Sequence, residues 1–196
     1  MLRPEVERTV RSPRTALVLL ALGIAGALAA AATVIAGVQV PETVTAEGKT
    51  LKLNGAGLRK KLLFKVYVAA LYVETPSRDA AAVISSSEVK RMRLSVLRSL
   101  RGSQVSEAIS DGFTRNSKDQ MPRLQDRLKK LGAMIPDVKE GDEIAFTWVA
   151  EKGVQVAVRG TDRGAIEGRD FADALFSVWL GPNPVDEDLK KALLGG

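Results

Sequence analysis

The stretch NGAGLRKKLLFKVYVAALYVE, Asn54 to Glu74, decides how the rest of the chain is read. Its small residues Asn54 to Gly57 predict a turn, and Arg59, Lys60 and Lys61 form a basic knot behind it. Phe64 to Val73 is dense in β-branched and aromatic residues, the composition of a largely buried strand. Arg59 then stands at the mouth of that strand and Tyr67 in its middle. A guanidinium near a phenol inside an apolar wall suits a pocket for an apolar acid, with charge-assisted hydrogen bonds for the head and hydrocarbon lining for the rest. The same two residues also fit a plainer arrangement, a solvated turn arginine and a core tyrosine whose hydroxyl meets a backbone carbonyl.

The absent residues exclude whole classes of chemistry. The 196 residues contain no histidine and no cysteine. Thiol nucleophiles, imidazole bases and the common zinc sites are therefore unavailable, and with them Ser-His-Asp hydrolysis and any disulfide framework. The acidic residues show no calcium-loop spacing, so neither a metal nor a cofactor is expected. The length allows one domain plus an appendage.

The appendage is at the amino terminus. Met1 to Arg14 carries Arg3, Arg8, Arg11 and Arg14, and Thr15 to Val40 then runs 26 residues without a charge. This pattern predicts an export signal or a membrane anchor over residues 1–40, ahead of a domain over residues 41–196. The arginines place the amino terminus in the cytoplasm and the domain outside it, periplasmic or otherwise extracytoplasmic. Ala29 to Ala32 offers a signal-peptidase site. The run to Val40 is also long enough to span a hydrocarbon core, giving membrane contact through residues 15–40.

Past Pro41, Val44 to Leu53 alternates around Glu47-Gly48-Lys49, which predicts two strands joined by a glycine turn. Asp79 to Ile84 reads as a short helix after the break at Thr75-Pro76-Ser77. Lys90 to Arg98 alternates with Met92, Leu94 and Val96 on one face, a strand with its basic residues in water. Two amphipathic helices follow, Gly102 to Asn116 and Met121 to Leu131, the second with Pro122 in its first turn and Gly132 as its stop. Ile144 to Val149 and Val154 to Val158 form a hairpin, Arg169 to Trp179 a helix, and Asp186 caps a last short helix. These elements argue an α+β domain, a curved antiparallel sheet with helices on one face.

The net charge of +6 and the basic residues of the Lys90 to Arg98 strand do not make a nucleic-acid interface. They alternate as a solvated strand face does, and no aromatic platform accompanies them. Anionic lipid headgroups or an acidic partner suit them better.

The Gly-Ala-Gly-x-Arg turn, the Lys65-Val-Tyr-Val-Ala-Ala-Leu-Tyr72 strand, Ile166-Glu167-Gly168, Phe171 to Phe176 and Val178-Trp179-Leu180-Gly181 occur in the order of the chalcone-isomerase-fold family. The chain resembles its bacterial members from about Val44 to Gly195. The resemblance implies an open-faced β-sandwich with a helical layer over a large sheet. Aligned on the enzymes of that family, the catalytic arginine matches Arg59 and the threonine falls on Tyr67. The enzymes' tyrosine and asparagine fall on Val105 and Gly112, neither of which has a side-chain hydrogen bond to give. No chalcone isomerase activity is therefore expected. What remains is similar to the non-catalytic fatty-acid-binding branch, in which an arginine and a tyrosine hold the carboxylate; Arg59 and Tyr67 are the matching positions. Two other functions stay open: an intramolecular lyase on a non-chalcone substrate, with Arg59 as electrophile and Tyr67 as acid, and an assembly partner of an envelope protein.

Overall fold

The computed structural model describes residues 32–196. Their strands follow the alternation of the sequence. Ala32–Ile35 (β1) and Val38–Pro41 (β2) pair as a hairpin of their own. Thr43–Ala46 (β3), Lys49–Lys61 (β4), Phe64–Val73 (β5), Lys90–Val96 (β6), Glu143–Val149 (β7), Gly153–Val158 (β8) and Thr161–Ile166 (β9) form one antiparallel sheet in sequence order. Every neighbour in that sheet is a neighbour in the chain, so the helices occupy the connections and the carboxyl terminus: Ala80–Ser85 (α1), Gly102–Asn116 (α2), Met121–Met134 (α3), Arg169–Leu180 (α4) and Glu187–Leu193 (α5).

The sheet is apolar on both faces, because each face has its own cover. On one, Ala69, Leu71, Met92, Leu94, Phe146 and Val156 meet Phe113 of α2 and Phe171, Leu175 and Trp179 of α4. On the other, Val68, Ala70 and Tyr72 alternate with them and pack under Val40, Val38 and Ile35 of the β1–β2 hairpin. Tyr72 ties the two layers by donating its hydroxyl to Pro41 O at 3.0 Å. This is the open-faced β-sandwich: a large curled sheet, a helical layer on one side and a small hairpin on the other.

Several sequence expectations are corrected. Asn54 to Gly57 is the middle of β4, with a register shift between Leu53 and Gly55 in place of a turn. Its glycines serve packing: a Cβ on Gly55 would lie 2.1 Å from Ala192 O, and one on Gly57 2.8 Å from Ala192 Cβ. Asn54 fixes the same contact, donating to Leu193 O at 2.8 Å and Ser77 O at 3.0 Å. Ala32 to Val40, grouped by hydropathy with the apolar run, belongs to the β1–β2 hairpin, so strand structure packed on the sheet is already present ahead of Pro41. β-branched Thr33, Val34, Ile35 and Val38 favour strand, and Ala36-Gly37 turns with both residues at positive φ. The rest of the export or anchor segment lies outside the described residues. Gly132 is no stop: α3 runs one more turn to Met134, and Gly132 lets it approach Ser106 of α2. Pro136 ends it, since the residue before a proline leaves the helical region.

Lys90 is a further correction. It shares the face of Met92 and Leu94 and is buried, with its Nζ donating to Val83 O at 2.8 Å and Ser86 O at 3.0 Å at the end of α1. Burial pushes its pKa down to about 8, yet the carbonyl acceptors around it are what an ammonium needs. The strand β9 was not foreseen. Its Thr161-Asp162-Arg163-Gly164 half is polar and only Ile166 is buried, as suits a sheet edge protected from further pairing.

Candidate functional site

Arg59 on β4 and Tyr67 on β5 are cross-strand partners, so both side chains leave the helix-covered face of the sheet at the same level. Tyr67 lies in the wall of a cavity of about 410 Å³ between the sheet and the helices. Strand residues Val66, Leu94, Val96 and Ile144 form its floor, and Val105, Ala108 and Ile109 of α2 its roof. Val178 and Trp179 of α4 close the inner end, while Lys61, Leu62, Phe64 and Arg98 frame the outer one. The volume falls in the range of small-molecule pockets, and the lining is hydrocarbon with few polar groups, the composition such pockets require.

The polar detail at the inner end is specific. Trp179 Nε1 donates to the Tyr67 hydroxyl oxygen at 3.0 Å. An indole only donates, so the phenol must accept from it, and its own O–H has no protein acceptor among the described residues. Burial pushes the Tyr67 phenol up to about 12, with the Trp179 hydrogen bond and the Arg59 charge pulling weakly the other way. At neutral pH it is therefore a proton-bearing donor.

Arg59 stands beside the cavity, held by a carboxylate. Its Nη1 bonds Asp186 Oδ2 at 3.0 Å and also the Lys60 carbonyl. Both partners of the pair are largely enclosed, with side chains 18% and 20% exposed, so this ion pair is less screened than a surface one. Nη1 makes both of these bonds, and the Tyr67 hydroxyl lies within reach of the same group; with five N–H donors the guanidinium has some to spare. The glycines of β4 make the pair possible. They let α5 lie against the strand, and Asp186 both caps α5, accepting from Leu189 N at 3.0 Å, and reaches Arg59.

The structure thus brings Tyr67 to the cavity wall and sets Arg59 across from it on β4, outside the set of residues that line the cavity. Sequence reasoning missed the two residues that orient them: the helix ending at Trp179 and the cap Asp186 carry no sign of a role at Tyr67 and Arg59. It also missed the outer frame of Leu62, Phe64 and Arg98. An Arg59-Lys60-Lys61 run broken by Leu62-Leu63 between two strands was the available signal. Val105 lines the cavity with hydrocarbon, and Gly112 lies outside it, where a Cβ would come 2.8 Å from the Val178 methyls. An asparagine at Gly112 would have no room in this helix pair.

A second, more open depression of about 490 Å³ lies on the opposite face, where the β1–β2 turn faces β6 and the Arg93–Glu143 ion pair crosses it. Its walls are as polar as they are apolar, and it lacks the enclosure of the first. Among the described residues there is no cluster of metal-ligating side chains and no helix long and apolar enough to cross a membrane.

No curated protein matches the sequence. Among solved structures, a fatty-acid binding protein of Arabidopsis thaliana superposes with a TM-score of 0.67 at 15% identity, covering 84% of this chain and 96% of that one. At that identity the likeness concerns the fold. The sequence itself carries the family, for residues 32–195 match the chalcone isomerase-like family, and the chain belongs to it.

Proposed function

We propose that this protein is a non-catalytic binder of a fatty acid or similar apolar carboxylate, working outside the cytoplasm as an exported or membrane-tethered domain. The observation that carries the reading is the Tyr67 hydroxyl. Locked as an acceptor by Trp179, it has its one hydrogen to offer in the wall of an apolar cavity, beside a guanidinium with unused donors. A carboxylate supplies the acceptors both groups lack, and an acyl chain needs only the hydrocarbon of β5, β6 and α2. The fatty-acid binding protein of the same fold supports the class of ligand.

The lyase alternative fits less well. A general acid or base works best with a pKa near the operating pH, and burial takes Tyr67 to about 12. α2 contributes Val105 where the enzymes of the family have a polar side chain. Export rests on the cationic head and the uncharged run of the sequence. Cleavage after Ala31 would leave the β1–β2 hairpin whole; an anchor would have Thr15 to Ala31, 17 residues, at the short end of a helical span.

Calorimetric titration with palmitate tests the site. Arg59→Ala is expected to weaken binding about ten- to two-hundredfold, ~1.5–3 kcal/mol for a charge-assisted contact. Tyr67→Phe removes one neutral donor and keeps the ring, an expected loss of ~0.5–1.5 kcal/mol. Wild-type binding that survives Arg59→Ala unchanged would move the head group to the outer frame, at Lys61 and Arg98. No binding by the wild type would refute the proposal.

A further inference from the structure

The cavity opens beneath the tip of the β4–β5 hairpin, whose surface is unusual for a water-facing turn. Leu62, Leu63 and Phe64 are 89%, 96% and 58% exposed, and they are consecutive. A single exposed leucine is unremarkable, but three adjacent large apolar side chains at the end of a projecting hairpin are not. The turn also has a backbone its sequence does not favour. Leu62 sits at φ +57°, where hairpins commonly place asparagine or glycine and where a leucine is strained. Strain and solvent exposure together indicate that these side chains serve something other than the folded domain.

The surroundings specify the partner. Lys60, Lys61 and Lys65 flank the leucines, and Arg98 lies over the Phe64 ring at 4.7 Å. Among the described residues none of these four cations is in an ion pair, and no Asp or Glu occurs between Gly55 and Val73. An apolar tip collared by unpaired cations matches an anionic bilayer, with leucines at the acyl boundary and ammonium groups among the headgroups. An acidic protein surface would answer the lysines but not the projecting leucines, whereas an anionic bilayer offers charge and hydrocarbon at adjacent depths.

We infer that the Leu62-Leu63 tip docks the domain onto anionic lipid surfaces, with the mouth of the cavity held against the bilayer. Lys61, Leu62, Phe64 and Arg98 belong to both the tip and the cavity frame. An apolar ligand therefore passes between membrane and cavity without crossing water. The docking itself does not depend on which ligand the cavity takes.

The full chain is suited to a site-specific test, because it contains no cysteine. Leu63→Cys, labelled with an environment-sensitive fluorophore, reports the tip. Glu151→Cys in the β7–β8 turn, at the opposite end of the sheet by strand register, is the control. With vesicles of phosphatidylcholine and phosphatidylglycerol, the Leu63 label should shift to the blue and be quenched by brominated acyl chains, and the Glu151 label should not. Phosphatidylcholine alone should give little shift. Lys60→Glu with Lys65→Glu, two residues outside the cavity lining, should weaken vesicle binding by about twentyfold or more, since each cation near an anionic surface is worth about fivefold. The pair, both exposed in the structure, should leave thermal stability as it was. A Leu63 label that stays in water on anionic vesicles overturns the inference. So does an equal shift on both lipids, or a shift without vesicles at rising protein concentration, which would make the tip a contact between two copies. Failure to bind palmitate with docking intact would sink the ligand proposal alone.

Discussion

Asp186→Asn separates the head-group account from every arrangement in which Arg59 is merely structural. In the structure Asp186 occupies Nη1 of Arg59 at 3.0 Å, so a carboxylate ligand on the remaining donors would share one guanidinium with a second negative charge. Two carboxylates on opposite edges of a guanidinium are roughly 6 Å apart, and their repulsion is about 0.7 kcal/mol at the dielectric of water and about 3 kcal/mol at an effective value of 20. Removing the protein's share should therefore tighten palmitate binding about three- to hundredfold. Asparagine is as good an N-cap as aspartate, so the bond from Leu189 N persists and α5 remains seated. The loss of one largely enclosed ion pair should cost the fold ~1 kcal/mol, a few degrees in Tm for a domain of this size. Calorimetry with palmitate and a thermal melt on the same sample decide it. An unchanged or weaker affinity in a variant that melts near the wild type would refute the role given to Arg59.

Tyr67 should titrate far above an ordinary tyrosine. In Tyr72→Phe, which leaves Tyr67 as the chain's one tyrosine, phenolate absorbance should appear only near pH 12, and a midpoint near 10 would contradict its enclosure. The linked stability has a definite sign: between pH 10 and 12 the unfolded chain gives up this proton while the folded chain keeps it. The contribution is thus present below pH 10 and lost as pH rises toward 12, a loss that Tyr67→Phe should remove. Gly55→Ala should lower stability by ~1–3 kcal/mol, because its Cβ meets the Ala192 carbonyl at 2.1 Å and backbone cannot yield as a side chain does. By moving α5 and with it Asp186 away from Arg59, it should also shift palmitate affinity in the direction of Asp186→Asn, toward tighter binding; an alanine variant with the wild-type melt and affinity would break the link between the β4 glycines and the site.

What the sequence made legible was what local pattern controls. Phe64–Val73 and Gly102–Asn116 lie where the residues put them, since strand composition and helical spacing are local properties that packing here reinforces. The residues that misled have local and tertiary roles that diverge. Asn54-Gly-Ala-Gly has the composition of a turn; pairing with β5 makes it a strand, and the approach of α5, more than a hundred residues later, is what its small residues serve. Lys90 has the alternation of a core position and the chemistry of a solvated one; the carbonyls closing α1 resolve the conflict. The site shows the same division. Arg59 and Tyr67 were visible as residue types in a suggestive order, whereas Asp186 and Trp179 come from 127 and 112 residues away. No spacing rule connects residues across such a distance. The tip leucines were visible but unread, because exposure is decided by the hairpin and by nothing within Leu62-Leu63 itself.

The central claim is that the cavity recognises an apolar chain by its carboxylate. The most direct measurement compares palmitate with hexadecanol, the alcohol of equal chain length, in calorimetric titrations of wild type and Arg59→Ala. The account predicts that the wild type prefers the acid by about tenfold or more, the worth of a charge-assisted contact, and that Arg59→Ala binds the two with nearly equal affinity. Equal affinities in the wild type, or a preference for the acid that persists without Arg59, would contradict it.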